Sequence, residues 1–234
     1  MGTLVNVIAV IAGSLIGLLL KNKISRRFIE QLTLVLGCAV ILMGIIELIP
    51  TMIHIKDGEL TASKSMLLII SLTFGYSIGH LLGLDKLINK FGDYLERKYH
   101  KDGFSKGFVT ASLLFCVGAM TFSGAILDGL GQPQTLYIKS VMDFISSIIL
   151  GATLGYGVVF SSITVLVYQG TIFLLAGLLN GVMPNVMLEG LEMVGYAIVV
   201  ILGLNLTKIV KIETANLIPS ILIPIIYYFI TLLF

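Results

Sequence analysis

The chain has 234 residues, 57% of them apolar and 12% charged, with a formal net charge of +2. A soluble domain carries about 25% charged residues, so this composition excludes one, and without a long acidic or basic run the chain offers nucleic acid no footing. A mean hydropathy of +1.03, with repeated apolar runs of about 20 residues that each match a hydrocarbon core, predicts an all-α fold: a polytopic transmembrane helical bundle.

Eight spans are expected, over residues 3–20, 28–49, 66–84, 107–127, 137–159, 162–181, 188–206 and 214–233. The first is read as a span and not a cleavable signal, because its basic cluster follows the apolar run and no small-residue cleavage site appears. It carries Asn6, Gly13 and Gly17 on one face. The second carries Cys38 and, near its outer end, Glu47. The third carries Gly75, Gly79 and His80, and leads into an amphipathic segment over 84–106 that is expected at the cytoplasmic interface.

The fourth span places Thr121, Gly124 and Asp128 at i, i+3 and i+7. Along the fifth, Asp143, Ser146, Ser147, Gly151 and Gly155 make one stripe, so acidic and hydroxyl groups share a face with glycines. The fifth and sixth spans are expected to join near Ser161, and the sixth holds Gln169 well inside its apolar run. Pro219 and Pro224 in the eighth are expected to bend it or open its first turns, since each removes a backbone donor.

Charge placement orients the spans. With the N-terminus outside, twelve of the 15 Lys and Arg residues fall on cytoplasmic connections, as the positive-inside rule requires. Lys56, Lys64 and Lys139 are the exceptions. Both termini are then outside. An internal duplication is also expected. "GSLIG" at 13–17 matches "GATLG" at 151–155, "LGCAVILMGIIELIP" at 36–50 resembles "QGTIFLLAGLLNGVMP" at 169–184, and "LGLDKLINK" at 82–90 resembles "LGLNLTKIVK" at 202–211. The expected organisation is a single transmembrane domain, 1–234, built from two parallel four-helix repeats, 1–127 and 137–234. Convergent packing glycines are the plainer explanation of the same matches.

Enzyme chemistry is not indicated. Walker, H-E-x-x-H and G-x-S-x-G patterns are missing from the sequence, no serine or cysteine has an evident nearby base, and no cofactor is expected. His54, His80 and His100 are too scattered for a metal-ligand spacing. The pairs Gly13/Gly17, Gly75/Gly79 and Gly151/Gly155 are expected to pack helices closely. Intramembrane polar groups are the stronger signal, because burying them in lipid is costly without partners. Asp143 with Ser146, Ser147, Gln169, Asn6, Asp128 and Thr121 is the expected site for an ion or polar solute, with Lys139 and Glu47 at its outer mouth. Carboxylate, amide and hydroxyl oxygens suit hard cations or protons. The competing reading makes Asp128 and Asp143 hydrated ends of a loop balanced by Lys139, and Gln169 a link between helices.

The stretch "GFVTASLLFCVGAMTFSGAILDGLG", followed by "LYIKSVMDFISSIILGATLGYGVVFSS" and "VYQG", resembles the YdfK/YqgA-like family of bacterial multi-pass membrane proteins, and so does "NLIPSILIP" near the C-terminus. The resemblance covers essentially the whole chain. It implies aspartates and a lysine at Asp128, Lys139 and Asp143, a Tyr-Gln-Gly at 168–170, and a location in the bacterial cytoplasmic membrane. It implies no substrate. The functional expectation is a secondary transporter or channel-like permease for an ion or small polar solute. The alternative is a non-transporting membrane protein that acts as a regulatory or assembly partner. Beyond the lipid bilayer, the small-residue faces permit a homodimer.

Overall fold

A computed structural model describes residues 1–21, 25–56, 59–87, 90, 104–116, 119–179 and 185–231. Its helices are α1 Gly2–Lys21, α2 Arg26–Met52, α3 Ser65–Leu81, α4 Phe104–Cys116, α5 Ala119–Gly129, α6 Gln134–Leu154, α7 Gly157–Leu179, α8 Asn185–Leu206 and α9 Ile223–Thr231. A 3₁₀ segment, Thr214–Leu222, precedes α9, and a two-stranded antiparallel hairpin, β1 Ile53–Lys56 with β2 Glu59–Ala62, follows α2. Six helical stretches among the described residues are long and apolar enough to cross a membrane. They lie in α1, α2, α6, α7, α8 and the 3₁₀ segment with α9, while α3 and α4 are shorter apolar helices. The amphipathic segment expected over 84–106 falls mostly outside the described residues.

The chain forms two compact units, one of Met1–Leu36 with Ile88–Val182, the other of Gly37–Leu87 with Met183–Phe234.

The first unit is organised by α1 lying along α6. Glycines make this possible. A methyl group on Gly13 would overlap the Ser147 hydroxyl and the Phe144 carbonyl, one on Gly17 would overlap the Ile148 carbonyl, and one on Gly151 would come 2.6 Å from the Ser14 carbonyl oxygen. Without a hydrophobic drive between helices in lipid, such close backbone contact supplies the association. Gly155 departs from its expected packing role. It adopts φ +84° and ends α6, with Lys21 beside it. A left-handed backbone is open to glycine at little cost, so the junction of the fifth and sixth spans lies at Gly155–Tyr156. Ser161, the expected junction, is instead fully buried inside α7.

The fourth expected span appears as α4 and α5. Thr121 Oγ1 donates to the Phe115 carbonyl at 3.1 Å, which satisfies one of the acceptors a helix end leaves open. At the far end of α5, Gln132 N–H bonds the Leu127 carbonyl and Gly131 N–H bonds that of Asp128, with Gly131 at φ +87°. This is a Schellman closure with glycine at its left-handed position. Pro133 follows as the N-cap of α6.

The second unit uses the same device between other partners. Gly37 lies on Thr207 and Gly203, Gly44 on Val200, and Gly203 on Ile41, so the described part of α2 in this unit packs on α8. Gly75 and Gly79 of α3 press against Ser220 and Asn216 of the 3₁₀ segment. Pro219 sits inside that segment and Pro224 in the first turns of α9. Their missing N–H groups account for the opened first half of the eighth span. The hairpin was not expected from the sequence, although "IHIKDGELTA" carries alternating residues around an Asp-Gly dipeptide, a known hairpin signal.

Large apolar side chains lie on the outward faces, and several polar side chains are turned inward. Ile8, Leu19 and Leu174 are 64%, 73% and 81% exposed, while Asn6 and Gln169 are completely buried.

Candidate functional site

The buried polar groups of the first unit come from α1, α4, α5, α6 and α7. On α6, Lys139 Nζ donates to Asp143 Oδ2 at 2.6 Å, one turn along the same helix, and both side chains are buried. Lys139 was expected in a wet outer mouth. In the structure α6 begins at Gln134, so Lys139 stands in its second turn and its ammonium is buried on Asp143. The Cys116 thiol at the end of α4 lies within electrostatic reach of both Lys139 and Asp143, and Tyr168 of α7 within reach of Cys116.

Asn6 enters the same neighbourhood from α1. Gly2 lies against Leu136, and Gly13 against Phe144 and Ser147. The two helices therefore run parallel, and Asn6, between those glycines, stands opposite the turn bearing Lys139, Ser140 and Asp143. Gln169 arrives from α7. Ser112 Oγ meets Thr164 Oγ1 at 3.1 Å, and Gly129 lies against Phe173 and Ala176. Gln169 falls between these two levels, on the turn that bears Tyr168.

Four serine hydroxyls in these helices satisfy themselves locally. Ser14, Ser140, Ser147 and Ser161 each donate to a carbonyl three or four residues back, at 2.6–2.8 Å. The carboxamides do not. Asn6 and Gln169 are fully buried, and all four of their side-chain N and O atoms lack a hydrogen-bond partner. An unpaired buried polar group costs about 1–3 kcal/mol, so two adjacent helices that each keep a carboxamide in this state hold unused donor and acceptor capacity.

Other predicted site residues have different places. The Asp128 carboxylate accepts four bonds at the start of α1, from the Met1 ammonium at 2.6 Å, the Gly2 and Thr3 N–H groups at 2.8 Å and the Thr3 hydroxyl at 3.0 Å. It caps the orphan donors of that helix and offsets its dipole. Ser147 is packed on Gly13, Thr121 closes α4, and Ser146 is half-buried. Glu47 is exposed and belongs to the second unit, where it stands in electrostatic reach of Glu192. Also in that unit, Glu189 is paired with Lys64, and His80 lies 3.8 Å from Glu213. Asn205, which opens an N-x-T sequence, bonds both backbone groups of Ile212 and so holds the turn after α8.

Apolar helices of membrane length, with lipid-type side chains outside and a polar cluster within, define a polytopic α-helical membrane protein. More particularly, the chain belongs to the family described as "Protein of unknown function (DUF554)", whose model matches residues 1–229. It is 30% identical to the "Uncharacterized membrane protein YdfK" of Bacillus subtilis (strain 168), over 98% of this chain and 96% of that protein. It is 26% identical to the "Uncharacterized protein YqgA" of Escherichia coli (strain K12), over 95% of this chain and 93% of that one. No solved structure matches the chain.

Proposed function

We propose that this protein is a secondary transporter or channel-like permease for an ion or small polar solute, set in the bacterial cytoplasmic membrane as eight spans with both termini outside. The observation that carries the reading is the pair of fully buried, unpartnered carboxamides, Asn6 and Gln169, in the unit that also buries the Lys139–Asp143 pair. Buried polar groups without partners are costly inside a membrane protein, and the buried ionisable pair in the same unit is of the kind that marks solute or ion pathways. One helix of the first half of the chain, α1, and two of the second half, α6 and α7, supply them, as in carriers whose site lies between repeats.

The test is flux. Purified protein in liposomes is expected to pass at least one ion or small polar solute, and Asp143→Asn to abolish that passage. Equal flux through wild type and Asp143→Asn for every species moved removes Asp143 from the site. No flux of any species removes the transport reading.

The four bonds on Asp128 favour a second reading, in which polar residues only hold helices together and the protein serves as a regulatory or assembly partner. On that reading Asp143→Asn lowers the melting temperature and no flux exists to be lost.

A further inference from the structure

Lys139 already occupies the carboxylate of Asp143. A cation arriving at Asp143 would have to displace that ammonium and leave it buried without a counter-charge, which is strongly unfavourable. The pair as it stands is electrically neutral. Among the described buried side chains of the first unit, what remains unsatisfied is hydrogen bonding. Both donor and acceptor atoms of Asn6 and Gln169 are without partners.

These two carboxamides come to one level in the unit. Asp128 binds residues 1–3 of α1, and the next residue of α5, Gly129, lies on Phe173 and Ala176 of α7. At the opposite end, Lys21 of α1 lies beside Gly155, just before α7 begins. α1 and α7 therefore run in opposite senses, and they pack on one another. Asn6 is one turn into α1 from the tethered end, and Gln169 one turn back along α7 from Phe173. Each lies about 6 Å of helix rise from that shared level. An uncharged ligand with both donors and acceptors could engage both amides without changing the buried charge.

Accordingly, we infer that Asn6 and Gln169 form the binding site for a net-uncharged polar solute carrying both hydrogen-bond donors and acceptors, while Lys139 stays on Asp143. This rests on the transport reading and narrows its substrate class.

Proteoliposomes containing the full chain are tested with urea, acetamide and glycerol by re-swelling, and with Na⁺ and K⁺ by ion-sensitive dyes. At least one neutral probe is expected to cross tenfold or more faster than in protein-free vesicles, with both cations at background. Cation flux without neutral-solute flux overturns the inference and leaves transport standing. No flux of any probe overturns both. The second measurement is stability. Replacing an unpartnered amide by an apolar side chain of similar size removes a penalty, so Asn6→Leu and Gln169→Leu are each expected to raise the melting temperature by about 2–4 °C while abolishing solute flux. A lowered melting temperature for both shows that the amides are structural links, and the inference fails.

Discussion

Lys139 and Asp143 illustrate how a buried pair differs from two buried charges. Together they are neutral and mutually satisfied at 2.6 Å. Either one alone leaves an uncompensated ion away from water. Lys139→Met is therefore expected to destabilise the protein by about 3–5 kcal/mol, and Lys139→Met combined with Asp143→Leu to recover most of that loss. Thermal unfolding of the two variants in detergent measures the difference, and equal losses in both would show that the pair is not coupled. The stripe of Asp143, Ser147 and Gly151 was legible in the sequence from helical spacing alone. The competing sequence reading already set Lys139 against Asp143, but in water. Their burial as a pair depends on the helices packed around α6 and is not written in the spacing. Ser14, Ser140, Ser147 and Ser161 each find a local carbonyl, whereas the carboxamides of Asn6 and Gln169 stay unpartnered. Sequence spacing flagged both as unusual but does not reveal satisfaction.

Among the helices, glycine spacing predicted close packing but not always the partner or the job. Gly13, Gly17 and Gly151 join α1 to α6, whereas Gly155, on the same stripe, terminates its helix at positive φ. Gly17→Ala meets the backbone of Ile148 and Ala152, which cannot rotate away. A cost of about 1–3 kcal/mol is expected, read as a lower melting temperature. Gly170→Ala has nothing within 4 Å of the added methyl. It is expected to gain about 0.5–1 kcal/mol from reduced backbone freedom in the unfolded chain. A reversal of these two signs would mean that α1 does not lie on α6 through Gly17. The opened 3₁₀ turn before α9 was legible from Pro219 and Pro224, because a missing N–H is a property of the residue itself. The hairpin after α2 had its Asp-Gly signal in the sequence, hidden by the apolar runs on either side.

The whole molecule poses the question of orientation. Charge placement puts the α5–α6 turn outside and the turn after α8 inside, and both carry exposed residues, Gln132 and Lys208. With Cys38 and Cys116 replaced by serine, Gln132→Cys is expected to react with an impermeant maleimide on intact spheroplasts. Lys208→Cys should react only after the membrane is opened. Labelling of both from one side would mean that an odd number of crossings does not separate these turns, and the eight-span topology would fall. Each compact unit takes chain from both the first four and the last four expected spans. The duplication expected from sequence is a statement about resemblance between segments, and their grouping in space is a separate matter.

By itself the sequence determined the class of protein, an apolar polytopic helical bundle, and the unusual place of Asn6, Asp143 and Gln169 within its apolar runs. These follow from composition and from a period of 3.6 residues, properties that neighbours along the chain set between themselves. Only the tertiary structure decided that Asp128 caps a helix 125 residues and more away, that Lys139 closes over Asp143 within the interior, and that Asn6 and Gln169 meet one level with their amides unused. Helical periodicity says which face a residue occupies. It does not say which other face arrives there, because that depends on how backbones fit together at their glycines.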